Sequence, residues 1–198
     1  MLINTNIVLE GETVRLVPME DRHKAELSRI LLSAQVWEFT WRTIKTAEEL
    51  DQVLTTALEN KINGSQLPFT IVDQMTGAII GTTRIGDIDM KNRNVEIGWT
   101  WLSPDYWRTR VNTECKYLLL RHCFEELKLI RVQFSVSGQN VRSQRAVERL
   151  GARKEGVFRK HRIKPDGSIH DNIFYSIVDD EWPDVKEKLL LLLSKKYN

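Results

Sequence analysis

The chain has 198 residues, the length of one ordinary domain, and a chain of that size buries about 70% of its unfolded surface without a disulfide or metal staple. Hydrophobic residues make up 41% and charged residues 28%, ordinary globular usage that excludes a disordered chain. With 29 Lys and Arg against 27 Asp and Glu the net charge is +2, so no whole-protein field draws the chain to nucleic acid or membrane, and neither is an expected partner.

The first eleven residues contain Glu10 and lack a basic flank ahead of a long apolar core, so no signal peptide is read and the cytoplasm is the expected location. Residues 14–18 read as a short strand. Over 21–33 the spacing predicts a helix, with Ala25, Leu27, Ile30 and Leu31 on one face. Thr46 then precedes Glu48 and Glu49, acidic residues suited to a first turn, and Leu50, Val53, Leu54, Ala57 and Leu58 repeat at helical spacing. Residues 69–72 and 78–85 read as strands around a turn at 73–77. Residues 95–102 alternate, with Val95, Ile97, Trp99 and Trp101 expected on one face and Glu96, Gly98 and Thr100 on the other. These three segments form an antiparallel meander.

Helical period returns over 112–127 through Cys115, Leu118, Leu119 and Cys123. Two turns of helix set those cysteines roughly 12 Å apart, too far for a disulfide, so they read as small core residues in a reducing compartment. Residues 131–137 alternate again, with Val132, Phe134 and Val136 inward. A short helix over 140–150 ends at Gly151, a residue preferred just past a helix end. Residues 156–163 and 168–178 form a hairpin around Lys164, Pro165, Asp166 and Gly167. The tail over 185–193 has too many consecutive leucines for one narrow helix face, and either packs across the domain or meets a second copy of the chain. No repeat or linker interrupts this order, so one domain is expected over 1–198, with a core over about 13–183 and a terminal helix over 184–198. The fold class is α/β of the mixed, α+β kind with a largely antiparallel sheet.

Several short pieces stand in a particular order: Val95-Glu96-Ile97-Gly98-Trp99, then Trp107-Arg108-Thr109-Arg110-Val111-Asn112-Thr113-Glu114. Asn140-Val141-Arg142-Ser143, Arg149-Leu150-Gly151-Ala152, Glu155-Gly156-Val157 and Glu181-Trp182 follow. In order and spacing, from about residue 13 to 183, the chain resembles the GNAT superfamily of N-acetyltransferases, in its Rim-type, ribosomal-protein branch. The resemblance implies helices on both faces of a sheet whose central strands splay, with acetyl-CoA in the splay as acyl donor and a primary amine, of a protein N-terminus or a small molecule, as acceptor. It implies that Trp101, Leu102 and Ser103 line the acetyl and pantetheine arm through backbone groups. The same resemblance implies that Arg108, Thr109, Arg110, Val111, Asn112 and Thr113 surround the pyrophosphate and that Asn140 bonds the pantetheine. The first turn of a helix, with unpaired N–H groups and the positive end of its dipole, suits a phosphate, and Arg108 and Arg110 add forked cationic donors. The loop departs from the family pattern: Trp107, Arg110 and Asn112 stand where Arg or Gln, Gly, and Gly or Ala are usual. A glycine there permits positive φ and close approach. A CoA-binding sensor or assembly module without catalysis is the alternative this departure supports.

Acetyl transfer requires a neutral amine. At pH 7 a lysine amine costs about 4.6 kcal/mol to deprotonate and an α-amine only about 1–1.4 kcal/mol, so a protein N-terminus asks less of a base. Glu96 is the candidate base or water-positioning group, with Gly98 beside it leaving room; a solvent-facing carboxylate or arginine partner is its ordinary reading. The Tyr that many members carry seven residues after the motif Asn is here Val147, and Ser143 is the candidate acid in its place, while Asn140 also reads as an N-cap and Ser143 as a first-turn residue. Trp37, Trp41 and Tyr175 are candidate acceptor-pocket residues, with core packing as the ordinary reading of each. His23, His122, His161 and His170 have no metal-ligand spacing, so no metal is expected. Arg159, Lys160, His161, Arg162 and Lys164 read first as a strand edge dressed in charge, and second as an attraction for an acidic acceptor or the CoA 3′-phosphate.

Overall fold

A computed structural model of the chain describes residues 4–195. Eight strands form one sheet: β1 (Leu9–Glu10), β2 (Val14–Pro18), β3 (Leu67–Asp73), β4 (Ile79–Asp89), β5 (Asn94–Leu102), β6 (Arg131–Ser137), β7 (Arg153–Ile163) and β8 (Ile169–Val178). Their order is β1-β2-β3-β4-β5-β6-β8-β7, antiparallel throughout except between β5 and β6. The helices are α1 (Lys24–Leu31), α2 (Ala34–Trp37), α3 (Ala47–Ile62), α4 (Val111–Arg121), α5 (Val141–Leu150) and α6 (Trp182–Ser194). None is long and apolar enough to cross a membrane.

Local chemistry sets the helix ends. At α3, Thr46 Oγ1 accepts from the Glu49 amide and Glu49 returns a carboxylate oxygen to the Thr46 amide, a reciprocal cap that satisfies two orphan donors. At α5, Asn140 Oδ1 accepts from the Ser143 amide, and Gly151 closes the helix at φ 110°, a left-handed turn that a side chain would strain. α4 continues into a wider π-type turn over His122–Glu126.

The sheet separates two cores. On one face α1–α3 bury Leu27, Leu31, Trp37, Leu50, Val53, Leu54 and Ala57. Ala25 is exposed, because α1 starts only at Lys24 and turns a narrower face inward than the spacing over 21–33 suggests. On the other face α4–α6 bury Cys115, Leu118, Leu119, Cys123, Val147, Leu150, Trp182, Val185 and Leu189, and both cysteines are free. The leucine tail therefore packs across the domain, against α4 and α5, and leaves Leu190 and Leu191 exposed. The final three positions of the expected terminal helix lie outside the described residues. Glu114, buried on α4, accepts from the amides of Glu12 (2.5 Å) and Thr13 (3.0 Å) and from the Thr13 hydroxyl, which ties the segment before β2 to the helix.

Candidate active site

The site begins with one extra residue. Gly98 pairs with Arg84 and Trp101 with Thr82, so Trp99 and Thr100 together oppose Thr83. Trp99 sits at φ 48°, a left-handed conformation that costs a non-glycine residue about 1–2 kcal/mol. Hydroxyls brace it from the α4 side. Lys116 Nζ donates to Thr100 Oγ1 (2.6 Å), Thr100 bonds Thr83 Oγ1 (2.7 Å), and Thr100 reaches the Gly98 carbonyl (3.3 Å). This bulge reverses the alternation. Val95 and Ile97 face α4 together with Leu102, whereas Trp99 and Trp101 pack into the α1–α3 core. The expected shared face of Val95, Ile97, Trp99 and Trp101 is corrected accordingly. A bulge also bends its strand. β5 pairs with β6 only from Asn94 to Glu96, against Arg131–Gln133, and the two strands part beyond it.

Glu96 stands at the head of that opening, on the α1–α3 side. It is 9% exposed and accepts from Gln133 Nε2 at 3.0 Å. A Cβ on Gly98 would lie 3.4 Å from Glu96 Oε1, so the glycine leaves the carboxyl its space. Burial raises the carboxyl to about 7 and Asp87 adds to the rise; the Gln133 hydrogen bond and the charge of Arg162 oppose it. A carboxyl poised near neutrality can both take and return a proton at working pH.

The floor continues across β6 and β8. Asn172 Nδ2 donates to Ser135 Oγ (2.6 Å) and lies 3.4 Å from His161 Nδ1, while Asn172 Oδ1 is buried with no partner. Phe158, His161 and Phe174 form an aromatic wall, with the two phenylalanine rings 4.4 Å apart. Sequence reasoning missed Gln133, Ser135 and Asn172. The signal was present: if Val132, Phe134 and Val136 face inward, Gln133 and Ser135 must line the opposite face, beside Glu96 in the parallel register.

Of the proposed acceptor residues only Trp41 lies at this mouth, half-buried, with its ring edge-on to His170 at 6.3 Å. Nearby, Lys164 Nζ donates to the Glu38 carbonyl and ties the β7–β8 tip to the loop after α2. Trp37 is 3% exposed, donates its indole N–H to the Leu31 carbonyl and packs 4.7 Å from Trp101. It is core. Tyr175 points to the opposite face, fully buried, where its hydroxyl donates to Glu148 (3.0 Å); burial and that neighbour raise it to about 12. Neither offers a surface to an acceptor.

On the donor side, one of the three expected residues turns its main chain toward the splay. The Ser103 amide donates to the Ile80 carbonyl and Trp101 pairs with Thr82, so both turn their main chain toward β4. Leu102 alone turns toward the splay, and its carbonyl accepts the Trp107 indole N–H at 3.1 Å. In the following loop Arg108 takes the left-handed conformation (φ 61°), while Arg110 is helical. Thr109 Oγ1 accepts from the Val111 amide, and Arg110 reaches back to Glu12 at 2.5 Å. Val111 and Thr113 are buried, and Thr113 Oγ1 accepts from Arg149. Asn112 is half-buried in the first turn of α4, and Ser143 is half-buried at the start of α5. The Arg142 guanidinium lies 4.1 Å over the Trp107 ring, which brings the starts of α4 and α5 together across the splay.

The chain and its fold are similar to known proteins. The model of the acetyltransferase (GNAT) domain family matches residues 13–153, well over half of the chain. The chain belongs to the GNAT acetyltransferase family. Within that family it is similar to YdaF of Bacillus subtilis, provisionally named a ribosomal N-acetyltransferase, with 31% identity over 110 residues. That match spans 56% of this chain and 59% of YdaF. An acetyltransferase structure from T. thermophilus, also provisionally named, is 37% identical over 94% of this chain and 96% of that one, with a TM-score of 0.84. A RimJ structure from Mycobacterium smegmatis, in complex with CoA-disulfide, shares the fold at 22% identity, with a TM-score of 0.80 over 98% of each chain.

For a GNAT protein, the question at the donor loop is whether the residues present suit acetyl-CoA. Two helix N-termini, of α4 and α5, flank the splay, and Arg142 stands between them over Trp107, with Arg108 exposed in the loop before α4. The strain expected where the family has glycine falls instead on Arg108, so the loop keeps its turn by shifting the left-handed position two residues upstream of Arg110. Arg110 itself is spent on Glu12. The two helix starts with Arg142 between them fit an anionic cofactor arm.

Proposed function

We propose that the chain is an N-acetyltransferase that moves an acetyl group from acetyl-CoA to a primary amine, with a protein N-terminus as the best-matched acceptor. One observation carries this reading: the buried Glu96 carboxyl, near-neutral in affinity, stands where β5 and β6 part. Acetyl-CoA supplies the activated acyl thioester. Leu102 and the first turns of α4 and α5 hold the arm and its phosphates, helped by Arg108, Arg142 and Asn140. Glu96, oriented by Gln133, takes the proton from the acceptor amine. An α-amine needs about 1–1.4 kcal/mol of deprotonation at pH 7, within reach of such a base, whereas a lysine needs about 4.6. Ser143, at the start of α5, is the proton donor on the opposite side of the splay. The test is acetyl-CoA-dependent release of free thiol against peptides with free N-termini, polyamines and amino sugars. Turnover that depends on a peptide N-terminus and collapses in Glu96→Gln supports the assignment; no acceptor-dependent release across the panel overturns it.

A second reading is a CoA-binding module without catalysis. It is favoured by Trp107, whose indole takes the one Leu102 carbonyl that faces the splay, and by Val147 in place of a tyrosine acid. Calorimetric binding of CoA together with no turnover of any amine supports that alternative.

A further inference from the structure

Proton transfer at Glu96 leaves the charge around it unexplained. The hairpin of residues 153–178 carries Arg153, Lys154, Arg159, Lys160, Arg162 and Lys164 against Glu155, Asp166 and Asp171, six cations less three carboxylates, or +3. The whole chain carries +2. All three carboxylates are engaged: Glu155 by Arg131 and Ser176, Asp166 by Ser168, and Asp171 by the Lys160 amide. Arg153 pairs with Glu181, but Arg159, Lys160 and Arg162 are exposed and have no ion pair among the described residues. Arg162 pairs in register with His170, the residue that meets Trp41 at the mouth.

The facing wall repeats the pattern. Arg42 is exposed in the loop after Trp41. Beneath it Arg84 is 2% exposed, bonded to Gln66 Oε1 and the Val53 carbonyl (both 3.2 Å), and stacked 5.4 Å over Trp101. Among the described residues no carboxylate touches it and its Nε has no partner, and Arg42 lies near enough to disfavour its charge further. A buried cation left without a counter-ion beside a second cation is costly. An anion brought to this groove relieves both.

We propose that the acceptor is the N-terminal segment of an acidic polypeptide, its amine at Glu96 and its following carboxylates against Arg42 and Arg162. This rests on the acetyltransferase reading above. A polypeptide suits the groove better than a nucleic acid. β7 is an edge strand with an exposed rim, and Phe158 (53% exposed), Ile163 and Ile169 offer apolar contacts to an extended chain. Glu96 would repel a phosphate placed beside it.

The experiment compares kcat/KM for peptides sharing one N-terminal residue and differing only at the next three positions, which are acidic, neutral or basic. The acidic series is expected to lead the neutral one by about tenfold, with the gap narrowing as ionic strength rises. In the double variant R42E/R162E that gap should vanish or invert, while calorimetric affinity for acetyl-CoA stays unchanged. Circular dichroism melts check its fold, and R42Q/R162Q serves if the reversal does not fold. Equal kcat/KM for all three series, or preference for basic peptides, overturns the inference. So does a single-stranded RNA oligonucleotide that binds the hairpin and is not displaced by the acidic peptide. Should no peptide be acetylated at all, the acetyltransferase reading fails, and fluorescence anisotropy of labelled acidic and basic peptides still decides this one: tighter acidic binding, lost in R42E/R162E, upholds it, and equal binding sinks it.

Discussion

Burial holds Glu96 near 7, well above an ordinary carboxyl, and this has consequences for both rate and stability. As a base it works when ionised, so kcat/KM for an N-terminal peptide should climb through about pH 7. Glu96→Gln should lower it by about a hundredfold or more and abolish that inflection. Because the folded carboxyl keeps its proton to higher pH than the unfolded one, stability falls as pH rises from the unfolded value toward 7, and the glutamine variant should flatten that slope in pH-dependent melts. Lys116 is the complementary case. Burial pulls it down to about 8, and its contacts are Thr100 and Thr83, not a carboxylate. The folded state therefore holds fewer protons than the unfolded one between pH 8 and 10.5, and stability rises with pH across that window. Lys116→Met removes the buried charge and should raise the pH 7 melting temperature by a few degrees, about 1 kcal/mol. It also releases the brace on Trp99, so KM for acetyl-CoA should rise about fivefold while kcat changes less, a trade of function for stability. Equal KM values in the two proteins would remove the bulge-bracing role.

Elements with a clean period were legible from residues alone. β2, β6 and α3 fall where alternation, helical spacing and the Thr46 cap put them, because each has one wet and one dry face. β5 was legible as a strand but not in phase, since a bulge leaves no mark on composition and Trp99 is as apolar as its neighbours. The site divides likewise. Glu96 and Gly98 could be named from one strand, whereas Asn172 and His161 join them only after β6, β8 and β7 are laid side by side. For Tyr175 pocket and core both stayed open, because an aromatic in a last strand looks the same from either face, and the structure buries it in the core. A tie between strands was equally hidden: Arg131 on β6 grips Glu155 on β7 through two bonds (2.6 and 2.5 Å), across β8, with Ser176 adding a third. Those bonds hold Glu155 down to about 2, so their stabilisation is present above about pH 4.5 and is lost as pH falls toward 2. Both side chains are partly exposed, so Glu155→Gln should cost only about 0.5–1 kcal/mol, near 2 °C in a melt at pH 7. That gap should close in melts run between pH 4.5 and 2, and a gap that persists at pH 2 would assign the loss to something other than the ion pair.

At the scale of the molecule, the sheet is two half-sheets, β1–β5 and β6–β8–β7, joined by three residue pairs and by the core under α4. Opening the splay forfeits the ladder hydrogen bonds that β5 and β6 would otherwise exchange, so the fold carries a seam through its centre. A ligand that lies in the seam contacts both halves and is absent from the unfolded chain, so mass action adds its binding energy to the stability of the whole. At a hundred times its dissociation constant that amounts to about 2.7 kcal/mol, or about 5–10 °C for a domain of this size. Acetyl-CoA should therefore raise the melting temperature by that amount, in Glu96→Gln as well as in the native protein, if Glu96 serves the acceptor as proposed. Hydrogen exchange should slow together over residues 97–102 and 134–137, on both banks of the seam. Slowing on one bank alone would place the cofactor against a half-sheet, and no shift at saturating acetyl-CoA would leave Arg108 and Arg142 without an anionic arm to hold.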